Sequence, residues 1–220
     1  MLQPLARLLA PPACVGCKKP GIVVCQNCIA TAQRANVARR TQFPLTGLSA
    51  VFSYDGLGKQ LVHRLKFERQ REAAKVIAGL IIAALPHRDF DVVTTTPTAT
   101  KRVRQRGFDH GKLLGLHVAH ELRLPYRQLL FRRSQERQLG HSRVKRMEQA
   151  RANYGTTANL AGQRVLLVDD VISTGATLAT GAELLRQAGA TQVWAAVLAD
   201  NYSTKAAYKY RDDDVPSPPK

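Results

Sequence analysis

Acidic side chains are scarce in this chain of 220 residues: 16 Asp and Glu stand against 33 Lys and Arg, a formal net charge of +17 at pH 7. That imbalance exceeds what solubility needs and points to a polyanionic partner, nucleic acid before an acidic membrane surface. Aromatics are thin as well, 6 Phe, 6 Tyr and 1 Trp, which leaves Phe108, Tyr126, Phe131 and Tyr154 as rings for stacking bases in and beside the most basic part of the chain. No apolar run approaches the roughly 18 residues of a membrane-spanning helix, so no membrane insertion is expected. The first residues, with Leu2, Leu5, Leu8 and Leu9 broken by Pro4 and Arg7, are too short for a secretory signal and read as a short helix packed on the core of a cytoplasmic protein. No internal repeat is evident.

Cysteine is missing from all but one short stretch, where four fall within fifteen positions as Cys14-x2-Cys17-x7-Cys25-x2-Cys28. Two Cys-x2-Cys knuckles let four thiolates converge on one Zn2+, which can fold a segment too small to have its own core. Gly16 and Gly21 supply the turns around it. Two disulfides would require export, which nothing here suggests, and a redox Cys-x2-Cys would not come doubled. A closed four-thiolate site leaves no open coordination position, so the expected role of the zinc is structural.

The densest chemistry lies between Val165 and Thr177. Val165 to Val168 is a continuous apolar run of the kind found in strands covered on both faces, with Asp169 and Asp170 at its carboxyl end. Gly175 to Ala188, with Leu178, Ala182, Leu185 and Ala188 at helical spacing, reads as an amphipathic helix ended by Gly189. Ser173, Thr174, Gly175, Ala176 and Thr177 at the start of that helix make a seat for a dianionic phosphate, because a helix amino terminus offers free N–H groups and partial positive charge. Carboxylates would repel the phosphate and so should face a sugar, accepting hydrogen bonds from a vicinal diol. The plainer reading is a strand and an N-capped helix with turn acids, but a cap does not require an acidic pair and five such residues.

Elsewhere the chain alternates strand and helix signals. Ala30 to Phe43 suits a basic helix or linker, Leu48 to Tyr54 a strand, and Leu61, Leu65 and Phe67 followed by Ala73 to Leu85 two helical stretches, the second buried. His63, Arg64, Lys66, Arg69 and Arg71 read as a mostly solvated cationic face. Asp91 to Thr96 is a strand whose hydroxyl-rich end, Thr95, Thr96 and Pro97, lies beside cations and could hold a pyrophosphate, with a plain proline-stopped loop as the alternative. His110, His117 and His120 read as packing or surface residues. Between Lys101 and Arg151 there are 14 Lys and Arg against 4 Asp and Glu, more than half of the chain's excess charge. Lys101, Arg102, Arg104, Arg106, Arg143, Lys145 and Arg146 are therefore the candidate nucleic-acid contacts, and about 123–151 is expected to be a basic lid or phosphate-tracking segment. Gln192 to Leu198 is a last strand, and 201–220 reads as a disordered tail.

The stretch from Val165 to Thr177 resembles the phosphoribosyl pyrophosphate (PRPP) signature of type I phosphoribosyltransferases. With the cysteine knuckles, Leu65-Lys66-Phe67 and Arg106-Gly107-Phe108 in this order, the chain as a whole resembles the ComF/GntX family over some four fifths of its length. The resemblance implies an α/β fold: a parallel-sheet, type I phosphoribosyltransferase-like domain over 41–200 with helices on both faces, behind a small four-cysteine zinc finger within 1–40. It further implies Asp169 and Asp170 for the ribose hydroxyls, Ser173 to Thr177 for the 5-phosphate, Thr95 to Pro97 for pyrophosphate, and Mg2+ bound with PRPP. The implied role is in natural transformation, handling incoming single-stranded DNA beside a helicase-like competence protein, with phosphoribosyl transfer as the reaction such a site could perform. The hypoxanthine and guanine salvage enzymes of this fold carry an acid where Ser173 stands, and a hydroxyl cannot replace it as a base at pH 7. The alternatives are a metabolic phosphoribosyltransferase acting on a small-molecule acceptor, and a structural adaptor that does not bind PRPP.

Overall fold

The structure, a computed structural model, describes residues 12–37, 44–67, 71–133 and 154–201. Most of the expected amino-terminal helix, most of the basic segment with Arg143, Lys145 and Arg146, and nearly all of the expected tail lie outside those residues. The elements run α1 (Gln26–Thr31), β1 (Gly47–Ser53), α2 (Gly56–Phe67), α3 (Arg71–Ala83), β2 (Val92–Thr95), α4 (Thr100–Arg106), α5 (His110–Leu122), β3 (Phe131–Arg132), β4 (Tyr154–Gly155), β5 (Arg164–Ile172), α6 (Ala176–Gln187) and β6 (Gln192–Asp200).

Four strands pair in parallel in the order β1-β6-β5-β2, and β3 and β4 form a separate antiparallel ribbon. The two inner strands carry continuous apolar runs, Val165 to Val168 and Val193 to Ala199, as suits strands buried on both faces. Their side chains alternate between two cores. Leu166, Val168, Ala196 and Leu198 meet Leu61 and Leu65 of α2, Ile77 and Ile81 of α3 and Leu114 and Val118 of α5. Val165, Leu167, Ala195 and Val197 meet Leu178, Ala182 and Leu185 of α6. Each fully buried leucine here contributes roughly 1.5–3 kcal/mol relative to an exposed one. The expected parallel sheet with helices on both faces is the architecture observed.

Three boundaries differ from the sequence reading. Strand β5 does not stop at Val168 but continues through both aspartates, because β6 stays in register beside it from Gln192 to Asp200. Residues 123–133 of the expected lid belong to the folded body: Val93 exchanges 3.0 Å backbone hydrogen bonds with Pro125 and Arg127 at the sheet edge, and Leu129 and Leu130 are buried. The cysteine segment is not a separate knob, since Cys14, Val15, Val23 and Val24 share one core with Leu57 and Leu61 of α2. Among the described residues no helix is long and apolar enough to cross a membrane.

Candidate functional site

Because neighbouring residues of a strand face opposite ways, Asp169 and Asp170 enter different surroundings. Asp169 accepts hydrogen bonds from the Thr96 hydroxyl and from the Asp170 N–H, each at 2.7 Å. Asp170, only 6% exposed, turns under α2 and α5, where it pairs with Lys66 and lies 3.9 Å from His110 Nε2. Loss of hydration and the adjacent Asp170 charge push the Asp169 carboxyl up to about 8. Burial opposes the Asp170 charge too, but Lys66 and then His110 outweigh it and hold that carboxyl below its ordinary value. The two carboxyls are thus shifted in opposite directions, Asp169 up and Asp170 down.

Arg106 completes this network. Its guanidinium lies 3.0 Å from His110 Nδ1 and 3.5 Å from Nε2, and the same ring stands 3.9 Å from Asp170. Burial lowers the His110 pKa, and the Asp170 charge opposes that shift. The sequence reading missed Lys66 and His110 as site residues and placed Arg106 with the DNA contacts. It also expected a solvated cationic face where Arg64 is 9% exposed and donates to the Ala13 carbonyl, and where Lys66 pairs with Asp170. The signal was present for both cations, since Arg64 stands three residues after Leu61, and Lys66 four after Val62, on the buried side of α2.

The loop from Ser173 to Thr177 leads directly from β5 into α6. Gly175 caps the helix at φ 79°, a left-handed conformation that a side chain would strain, so its requirement is backbone direction. Ser173 and Thr174 are exposed, and Thr174 Oγ1 approaches Ala176 N at 3.4 Å. The first turn has no intrahelical acceptors for its N–H groups, and the helix dipole adds to their pull on an anion. This is a cradle at the end of the strand that carries the two acids.

At the end of β2 the hydroxyls divide. Thr94 accepts from the Leu129 N–H at 3.2 Å and Thr95 shares a 3.0 Å hydrogen bond with Tyr126, both fully buried, while Thr96 alone turns to Asp169. Thr95 can therefore offer a ligand only its backbone. The following loop is held by Thr98, which donates to Asp109 Oδ1 at 2.8 Å, and the same oxygen caps α5 by accepting from Lys112 N–H at 3.1 Å.

The four cysteine sulfurs lie within 4.8 Å of one another, a donor set for one metal ion. Burial alone would raise the Cys14 thiol, but N–H donors from Cys17, Cys25 and Gly16 bring it down to about 6. Cys28, sharing its hydrogen with Cys25 and desolvated, is pushed up to about 12. Four thiolates so close cannot all ionise without a cation between them. Gly16 is required by space: a Cβ there would stand 2.7 Å from Cys28 Sγ. Of the turns, Gly21 has the expected left-handed φ of 83°, and Lys18, at 65°, takes the other.

Lys101, Arg102 and Arg104 are exposed on α4, while Arg106 at its end turns inward. The aromatics expected on the basic surface are mostly engaged: Tyr154 is 8% exposed, Tyr126 is bonded to Thr95, and Phe108 is half-buried, leaving Phe131 at 40%. Phe67, at the end of α2, is 58% exposed.

Residues 111–219 match the family model described as phosphoribosyl transferase domain. The DNA utilization protein YhgH of Salmonella typhi is 30% identical over 162 residues, covering 69% of this chain and 71% of that protein. Competence protein ComFC of Bacillus subtilis is 27% identical over 183 residues, covering 80% and 72%. Among solved structures, the glutamine PRPP amidotransferase of B. subtilis superposes with a TM-score of 0.45 at 20% identity, covering 61% of this chain; the match spans only 30% of the amidotransferase.

Proposed function

We propose, because this chain belongs to the ComF/GntX family of phosphoribosyltransferase-like proteins, that it binds PRPP with Mg2+ at the end of β5 and single-stranded DNA along its basic surface. The observation that carries the reading is the succession, within one strand–helix junction, of the Asp169–Asp170 pair and the open amino terminus of α6. The acids accept from the ribose 2- and 3-hydroxyls, the N–H groups of the Ser173 to Thr177 loop take the 5-phosphate, and the backbone from Thr95 to Pro97 borders the pyrophosphate. Mg2+ bound with PRPP supplies positive charge to a departing pyrophosphate. Ser173 offers no base, so any phosphoribosyl transfer here depends on leaving-group stabilisation and not on proton abstraction.

The cysteine centre holds Zn2+ as a structural ion, since all four positions are filled by thiolates and none is left for a substrate. The relatives' names, DNA utilization and competence, together with the +17 charge, support a DNA role in the cytoplasm beside a helicase-like partner. Calorimetry with PRPP and Mg2+ tests the ligand site: an Asp169→Asn, Asp170→Asn variant should lose the heat of binding, and retained affinity would refute the diol contacts. For DNA, affinity for a single-stranded oligonucleotide should fall steeply with salt and weaken when Arg143, Lys145 and Arg146 become Ala. Binding indifferent to both would refute the DNA role.

A further inference from the structure

Phe67 is the most exposed of the large apolar side chains among the described residues. It ends α2 directly after Lys66, so the helix that sends a cation to Asp170 sends the next side chain out to solvent. Its neighbours are cationic and planar. The Arg106 guanidinium carbon lies 5.2 Å from the ring centroid, and His63, one turn earlier and exposed, sets its imidazole 4.8 Å away at 37° to the ring. Arg106 closes α4, the helix that exposes Lys101, Arg102 and Arg104. An acyl chain or an apolar protein partner would call for aliphatic side chains around the ring, whereas a ring with a guanidinium over it and a tilted imidazole beside it, next to a row of exposed cations, matches a nucleobase with phosphates on either side.

We propose that Phe67, His63 and Arg106 form a stacking platform for a nucleobase of single-stranded nucleic acid, with the phosphates of adjoining nucleotides along Lys101, Arg102 and Arg104. This rests on the DNA-binding reading and deepens it by naming where a base is held. Because Arg106 also bonds to His110, which faces Asp170, the platform borders the ribose-phosphate site.

The test compares a labelled oligo-dT with an abasic oligonucleotide of equal length, by fluorescence anisotropy across a salt series on the full chain. Wild type should prefer oligo-dT. Phe67→Ala should lose about 5- to 100-fold in oligo-dT affinity, keep its affinity for the abasic strand, and keep the salt slope, because base stacking and phosphate contacts are separate contributions. Phe67→Trp should retain the preference and show added fluorescence quenched by oligo-dT. A Lys101→Ala, Arg102→Ala, Arg104→Ala variant should flatten the salt slope and keep the preference. If Phe67→Ala prefers oligo-dT as wild type does, or if wild type binds both strands equally with a steep salt slope, the platform falls and the DNA reading stands. If wild type binds neither strand, both fall. Phe67-dependent binding to phosphatidylserine vesicles without a base preference would assign the ring to lipid and overturn the platform.

Discussion

Lys66 of α2 forms an ion pair with Asp170 of β5 beneath the surface of the sheet's carboxyl end. The same helix packs Leu57 and Leu61 against the cysteine segment and donates from Arg64 to the Ala13 carbonyl, so one element connects the four-cysteine cluster to the acidic pair. The pair is mostly buried, its side chains 21% and 8% exposed, which makes each partner costly to remove alone.

Replacing Lys66 with Met should lower stability by about 3 kcal/mol at pH 8, the low end for breaking a buried pair. Without its cation the Asp170 pKa rises, and the protein can neutralise the acid only by binding a proton. The loss should therefore be smaller at pH 5 than at pH 8, and an added Asp170→Asn should restore most of it. Denaturant titrations of the four proteins at both pH values read this cycle.

Asp169 gives a pH dependence of known sign. Its folded value, about 8, lies above the ordinary 3.8, so the folded state holds the proton more tightly. The associated stability is fully present below about pH 4 and is lost as pH rises through about 8. Asp170 is shifted the other way, so its contribution changes only at more acidic pH. Between pH 5 and 9 the melting temperature of wild type should fall more than that of Asp169→Asn.

Metal analysis should find one ion per chain, and a strong chelator should lower the melting temperature, because the knuckles share their core with α2. Gly16→Ala presses a methyl group against Cys28 Sγ and should reduce bound metal without removing any ligand. Cys28→Ser should reduce it further.

Gly175→Ala should cost about 1 kcal/mol in denaturant stability, the usual penalty for a side chain at positive φ. Its effect on PRPP affinity should exceed that, since the cradle's N–H groups turn with the Gly175 backbone.

Much of the molecule was legible from neighbours in sequence. The Val165 to Thr177 stretch shows its strand, acids and helix start in one line, and the two Cys-x2-Cys knuckles declare a shared ion by spacing. What was misread depends on the partner chosen across the fold. Arg64 and Lys66 looked like solvated charge yet go inward. Thr95 looked like a ligand hydroxyl, but Tyr126 takes it.

By itself the sequence determined the alternation of strands and helices, the cysteine spacing and the acid-and-cradle order, because periodicity and spacing act over a few residues and survive in any context, while the parallel sheet was implied by family resemblance. Only the tertiary structure decided that the two acids are shifted in opposite directions, that Lys66 and His110 gather at Asp170, and that Arg106 packs against His110. Those states follow from desolvation and from charges brought within a few ångströms by the packing of α2, α4 and α5 against β5, and such distances are not written in the order of residues.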